Sequence, residues 1–170
     1  MQANKEMRLL LQECGVENID EIPPNTSYPI WEKKDGSGRS YFGVGNFCGI
    51  DQDSVPIDQD LSDFEWDGNE LYFSTQSIKG VPALLKKVIG ILKGWKAELE
   101  MRFPNIQFYV FASYDNGDFC EFYDGDEPPR SMHLRFWAER GTKLPLLVPS
   151  VEECVEQWGQ PVIMDVCNPK

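Results

Sequence analysis

A stripe of apolar residues between positions 81 and 102 limits the folds open to this chain more than any other feature. Large apolar side chains recur there every three or four residues, at Val81, Leu85, Val88, Leu92, Trp95 and Leu99. This spacing places them on one face of a helix. Pro82 is tolerated in the first turn, and Pro104 cannot continue a helix. The sequence therefore predicts a helix over about 81–102 that forms the centre of the core.

The sheet that this helix covers is predicted to be mainly antiparallel. Residues 106–114 are apolar on both alternating faces, which is typical of a central strand. Further strands are predicted at 28–32, 41–48, 71–75, 119–123, 132–138 and 162–166. A turn signal at 115–118 leads from the central strand into 119–123. The polar stretch 51–63, interrupted by Pro56, is predicted to be a surface loop.

Two shorter helices are predicted near the ends of the chain. Met7, Leu10, Leu11 and Cys14 share one helical face before Gly15, and Ser150 with Glu153 forms a capping box. A chain of 170 residues is long enough for one domain with a sizeable core. We therefore predict a single α+β domain over residues 1–170, with the 81–102 helix packed on one face of the sheet.

Cysteine usage and hydropathy predict a cytoplasmic protein without a membrane segment. No apolar run reaches the roughly 18 residues of a membrane span, and the first residues lack the apolar core of a signal peptide. The five cysteines are widely separated and never spaced as C-x-x-C. This pattern argues against a disulfide framework and a zinc site, and it predicts reduced thiols.

The net charge of −12 is concentrated in two windows. Residues 40–78 contain eight acids and residues 103–129 contain six, and neither window contains a Lys or Arg. The other 104 residues carry 14 acids and 16 bases. A concentrated field of one sign attracts partners of the opposite sign and accelerates their encounter. The charge pattern therefore predicts a basic partner and argues against direct nucleic-acid binding, which requires clustered Lys and Arg.

The acids are interleaved with aromatic residues, which is the composition of a docking surface with anchors. We expect the two windows to converge on one face. The predicted partner-binding residues are Asp51, Asp53, Asp58, Asp60, Asp63, Glu65, Trp66, Asp67, Glu70, Tyr72, Asp115, Asp118, Glu121, Asp124, Asp126 and Glu127.

No convincing catalytic, metal or cofactor motif is present. His133 is the only histidine, and Cys120 is the one thiol on a strand expected beside it. Residues 58–69 begin like a calcium loop but lack the turn glycine and the closing glutamate. The glycines at 43, 45 and 49 do not open into a helix, as a dinucleotide-binding loop must. We predict no catalytic residues, no metal and no cofactor.

In size, acidity and α+β pattern, the chain resembles bacterial toxin immunity proteins. The resemblance covers these gross properties and no motif, and it implies a non-enzymatic inhibitor of a basic toxin, nuclease or other nucleic-acid-binding protein. A phage-encoded inhibitor that imitates DNA would have the same profile. The alternatives are an assembly or scaffold component without an inhibitory role, and a small hydrolase that uses Cys120 and His133 or paired carboxylates.

Overall fold

The fold is an α+β arrangement in which helices cover both faces of an antiparallel sheet. The structure is a computed structural model and describes residues 1–45, 60–117, 128–141 and 150–169. Within these ranges the strands are β1 (Gln2–Ala3), β2 (Ile30–Lys34), β3 (Ser40–Val44), β4 (Leu71–Ser74), β5 (Phe108–Asp115), β6 (Ser131–Ala138) and β7 (Val162–Cys167). The helices are α1 (Lys5–Glu13), α2 (Leu61–Gly68), α3 (Val81–Arg102) and α4 (Val151–Gln157).

Five strands form the main sheet in the order β1-β7-β5-β6-β4, and every pairing is antiparallel. β2 and β3 form a separate hairpin. The predicted central strand is confirmed, because β5 pairs with β6 along one edge and with β7 along the other. The segment 119–123 that we expected after β5 lies outside the described residues.

The 81–102 helix is confirmed in its bounds and in its buried face. All six residues of the apolar stripe are at most 7% exposed, and Leu85, Val88, Leu92 and Leu99 are completely buried. They pack with the inward residues of β5 and β6, such as Val110 and Phe136. At about 25 cal/mol per Å² of buried apolar area, such a helix is a main source of stability.

The opposite face of the sheet carries a smaller core under α4. Tyr109, Phe111, Trp137 and Met164 alternate with the α3-facing residues of their strands and pack against Cys154 and Val155 of α4. The capping box of α4 is confirmed at its N-cap, where the Ser150 hydroxyl accepts a hydrogen bond from the Glu153 amide at 3.2 Å.

α1 is fastened to the sheet by the buried side chain of Asn4. Its Oδ1 caps the helix by accepting from the Met7 amide at 2.9 Å, and it also accepts from the Val162 amide at 3.1 Å. Its Nδ2 donates to the carbonyl oxygen of Gln160 at 2.7 Å. One amide therefore caps α1 and holds it against the start of β7.

The prediction of a surface loop over 51–63 is wrong for residues 61–63, which are helical. Residues 51–59 lie outside the described ranges, but α2 begins at Leu61. The Asp60 carboxylate accepts from the Ser62 amide at 2.8 Å and caps the helix. Leu61 and Phe64 pack with Tyr41 of β3, so an apolar face only two residues wide holds the helix on the hairpin. Two apolar positions in an acidic stretch produce little helical periodicity, and for this reason the sequence did not indicate the helix.

Candidate partner-binding surface

α2 presents a row of three carboxylates on its outer side. Asp60, Asp63 and Asp67 are exposed, and their spacing of three and four residues places them on one helical face. None of the three forms an ion pair with another residue in the described part of the chain. We call these three residues the acidic row.

The acids of this row repel one another. Partial burial, together with the negative charges of Asp60 and Asp67, raises the pKa of Asp63 above its usual value. A carboxyl group whose pKa is raised by folding destabilises the folded protein at neutral pH. The acidic row therefore lowers stability, and a cation that approaches it would relieve the repulsion.

The inner side of α2 carries polar side chains that form hydrogen bonds with the backbones of β3 and β6. These two strands do not pair directly with each other. The completely buried carboxylate of Glu65 accepts from the amide of Phe42 in β3 at 2.9 Å and from that of Ala138 in β6 at 2.7 Å. Ser62 donates to the carbonyl oxygen of Ala138 at 2.7 Å. These side chains fill the gap between two strand edges that do not pair with each other.

Asn69, just beyond the last turn of α2, continues this bridge. Its Nδ2 donates to the carbonyl oxygens of Phe42 at 2.9 Å and of Phe136 at 3.1 Å, and its Oδ1 accepts from the Val44 amide at 3.1 Å. Every polar atom of the amide group is thus engaged. The orientation of α2 is fixed by these directional contacts as well as by its apolar face.

Arg140 neutralises the buried Glu65. Its two terminal nitrogens lie 2.5 Å and 2.9 Å from the two carboxylate oxygens, and the guanidinium also donates to the carbonyl oxygen of Ser40 at 3.0 Å. Burial raises the pKa of Glu65, and the hydrogen bonds from Arg140, Ala138 and Phe42 oppose that rise. Glu65 is therefore an internal anchor with no surface to offer a partner, although we had placed it among the docking residues.

Trp66 lies on the α4 side of the sheet. Its ring centroid is 4.8 Å from that of Trp137, 5.4 Å from that of Phe111 and 6.2 Å from that of Trp158. The Arg135 guanidinium lies 4.8 Å above its ring. Trp66 is half-buried in an intramolecular aromatic cluster, so only part of the ring is available for a partner.

Glu70 belongs to a second polar group on the same side of the sheet. Its Oε1 lies 2.5 Å from Nδ1 of His133 and 3.0 Å from a terminal nitrogen of Arg135. Burial opposes ionisation of Glu70, but these hydrogen bonds and charges outweigh it and hold its pKa below the usual value. The Tyr72 ring, 54% exposed, lies edge-on to His133 with centroids 5.1 Å apart.

His133 is held between two strands by its contact with Glu70. β4 and β5 flank His133, which faces Tyr72 and Ser113. Within the described residues, no Ser, Thr or Cys side chain is hydrogen-bonded to the imidazole, as an activated nucleophile would be. Cys120, the other residue of the hydrolase alternative, lies outside the described residues.

Asp115 lies at the far end of the sheet from the acidic row. It pairs with Ser131 at the start of β6, whereas Ser62 and Glu65 contact Ala138 at the other end. Seven residues of strand separate the two positions, which is roughly 23 Å. Asp115, the one acid of the second window among the described residues, is therefore remote from the end of β6 that Ser62 and Glu65 contact. The other predicted residues, Asp51, Asp53, Asp58, Asp118, Glu121, Asp124, Asp126 and Glu127, lie outside the described residues.

Sequence reasoning missed the three residues that hold the acidic row in place. Ser62 and Asn69 are ordinary polar residues by composition, and Arg140 is 75 positions from its partner Glu65. The available local signal was Asp60, a good N-cap residue directly before Leu61 and Phe64. It could have indicated the helix, but the long-range partners depend on the tertiary fold.

Comparisons with known proteins add no family to this description. No family model, curated protein or solved structure matches the chain. In the part of the chain that the structure describes, no helix is both long and apolar enough to cross a membrane. Over the same residues, no cluster of three or more His, Cys, Asp or Glu side chains could hold a metal ion.

Proposed function

We propose that this protein is a non-enzymatic binding protein that docks on a basic protein through the outer side of α2 and inhibits it. The observation that carries the proposal is the contrast between the two sides of this helix. Glu65 on the inner side is matched by Arg140, whereas Asp60, Asp63 and Asp67 on the outer side have no ion pair among the described residues. A partner with Lys and Arg side chains would supply the missing cations.

The charge density of the acidic row supports a partner that normally binds nucleic acid. At 1.5 Å per residue, the three carboxylates span about 10 Å of helix axis. Their mean spacing of about 5 Å is wider than, but of the same order as, the roughly 3.4 Å between phosphates along one strand of B-form DNA. A basic cleft built for phosphates would accept such a row, so a nuclease-type toxin is the partner class we favour.

The polar anchors of α2 support docking without large rearrangement. Ser62, Glu65 and Asn69 tie the helix to both β3 and β6, so the carboxylates are displayed on a fixed backbone. A surface that is ordered before binding loses less entropy when the complex forms. Tyr72, the most exposed aromatic residue that we placed on the docking surface, lies on the strand that follows α2.

The test begins with capture of a partner from cells of the native organism and its elution with salt. Association and dissociation rates are then measured against salt concentration for the wild type and for Asp63→Lys/Asp67→Lys. We expect this variant to associate at least about tenfold more slowly, because peripheral charges act mainly on encounter. The nucleolytic or other activity of the partner should fall when the wild type is added.

The matched control is Glu6→Lys/Glu13→Lys on α1. It changes the net charge by the same amount at two exposed positions. If both variants slow association equally, total charge and not the acidic row steers the partner. If the partner binds but keeps its full activity, the assembly or scaffold alternative replaces the inhibitor.

The hydrolase alternative makes the opposite prediction for His133. If docking is the function, His133→Ala should preserve inhibition of the captured partner, since the imidazole faces Glu70 and lies outside the acidic row. Loss of function in His133→Ala and in Cys120→Ala, with an unchanged thermal midpoint, would move the enzyme hypothesis to first place.

A further inference from the structure

A surface cleft of about 880 Å³ separates the first half of α3 from the segment 15–27, which follows α1. One wall includes Glu17 and Glu21, and the other is formed by Lys86, Lys87 and Gly90 of α3. Thr26 and Ser27 add hydroxyl groups to the lining. The cleft shares no residue with α2, so it is a separate site from the proposed docking surface.

The wall opposite α3 is held in place by α3 itself. The ammonium group of Lys93 donates to the carbonyl oxygens of Ile19 at 3.2 Å, Asp20 at 3.0 Å and Ile22 at 2.5 Å. All three ammonium hydrogens are therefore used to fix one turn of the segment. Because these contacts tie the segment to α3, the two walls of the cleft are connected to each other before any ligand enters.

Glycines on α3 bring the segment into backbone contact with the helix. The Asn25 amide donates to the Gly90 carbonyl oxygen at 2.7 Å. A Cβ atom at Gly94 would lie 2.1 Å from the Asn25 carbonyl oxygen. The close approach therefore depends on the missing side chain, and it adds a second fixed point to the wall.

The two walls carry opposite charges that do not neutralise each other. Within the described residues, Glu17, Glu21, Lys86 and Lys87 form no ion pair. Other cations of α3 are paired, since Lys96 binds Asp165 at 2.9 Å. The Lys87 ammonium is held 4.3 Å from the centroid of the Phe73 ring, which leaves it without an anionic partner in this part of the chain.

We propose that this cleft binds a short zwitterionic peptide, whose ammonium end pairs with Glu17 and Glu21 and whose carboxylate end pairs with Lys86 and Lys87. A polyanion would be repelled by the two glutamates, and a polycation by the two lysines. The hydroxyl groups of Thr26 and Ser27 suit the polar backbone of a peptide. Opposite charges on the two walls favour a ligand with opposite charges at its two ends.

The probe is tetraalanine with free termini, titrated to millimolar concentration against the ¹⁵N-labelled full chain. Amide shifts should appear at Gly15, Asn25 and Gly90, which line the cleft. N-acetylated tetraalanine and its C-terminal amide each lack one charge, and each should bind at least about tenfold more weakly, a loss of about 1.4 kcal/mol.

Two variants assign each end of the peptide to a wall. Glu17→Gln/Glu21→Gln should weaken the free peptide about tenfold and leave the N-acetylated peptide unaffected. Lys86→Gln/Lys87→Gln should weaken the free peptide similarly and leave the amidated peptide unaffected. The reversed pairing of variant and peptide would overturn the stated orientation.

Lys5→Gln/Glu6→Gln on α1 is the control and should bind all three peptides like the wild type. An absence of shifts at millimolar tetraalanine would overturn the proposal, as would equal binding of the free and blocked peptides. Unchanged amide spectra of the free variants would show that the fold is intact, so loss of binding would report on the cleft.

Discussion

α3 and α2 are both helices that pack against the sheet, yet they are held by different forces. α3 is buried through a long apolar stripe, in which Leu92 makes no contact with solvent. α2 has two apolar contacts, Leu61 and Phe64, and depends in addition on buried polar groups centred on Glu65. The comparison teaches that buried hydrogen bonds can fix the position of a helix whose apolar face is narrow.

The largest expected effect is the loss of the buried carboxylate under α2. Glu65→Ala removes the carboxylate that accepts from Arg140 and from the amides of Phe42 and Ala138. We expect the free energy of unfolding to fall by about 3–5 kcal/mol, the usual cost of breaking a buried ion pair on one side. Denaturant titration measures it.

Glu65→Leu/Arg140→Leu is the companion variant. It removes both charges, so the unpaired guanidinium is absent, and we expect it to recover part of the stability lost in Glu65→Ala. A single variant that costs less than 1 kcal/mol would mean that α2 is held mainly by Leu61 and Phe64, and the contrast with α3 would disappear.

For α3 the corresponding substitution is Leu92→Ala. Removal of a completely buried leucine should lower the free energy of unfolding by about 2–5 kcal/mol, through lost apolar burial and the cavity left behind. Leu9→Ala is the matched control, because Leu9 is 49% exposed, and it should change stability by less than about 0.5 kcal/mol. Equal thermal midpoints for Leu92→Ala and the wild type would remove α3 from the core.

The same comparison explains which parts of the fold the sequence predicts. α3 and the central strand β5 follow from apolar periodicity, because each buries side chains at a regular interval. α2 does not, because Glu65 and Asn69 on its inner side are polar and their partners Arg140, Phe136 and Phe42 are distant in sequence. Charge counting located Asp60, Asp63 and Asp67 correctly as exposed acids but could not separate Glu65 from them.

The pH dependence of stability should also differ between the two helices. Burial of Asp165 opposes its ionisation, but the hydrogen bond from Lys96 of α3, with other favourable contacts, holds its pKa below the usual value. A lowered pKa gives stability that is present above the pKa of the unfolded state, about 3.9, and is lost as pH falls through the folded-state value. Asp165→Asn should therefore cost about 1 kcal/mol at pH 7 and less at about pH 3.

Thermal unfolding of Asp165→Asn at several pH values is the measurement. Glu98→Gln is a suitable comparison, since Glu98 pairs with Arg102 near the end of α3 where both side chains reach solvent. At acidic pH, the free energy of unfolding should depend less steeply on pH in Asp165→Asn than in the wild type. If the two slopes are equal, Lys96 does not hold the carboxylate as the structure indicates.

The smallest expected effect has the opposite sign and belongs to the acidic row. The raised pKa of Asp63 means that its ionised form opposes folding at neutral pH, and this opposition disappears as pH falls through the folded-state pKa. Asp63→Asn should therefore raise the free energy of unfolding by roughly 0.2–0.5 kcal/mol at pH 7, the usual size of like-charge repulsion between neighbouring helical positions. At about pH 3, where the carboxyl is mostly protonated, the gain should vanish.

Glu13→Gln at an exposed site on α1 serves as the control for a general reduction in net charge. If it stabilises the protein as much as Asp63→Asn does, the repulsion is spread over the whole molecule, and α2 would not be the place where stability is given up for a charged surface.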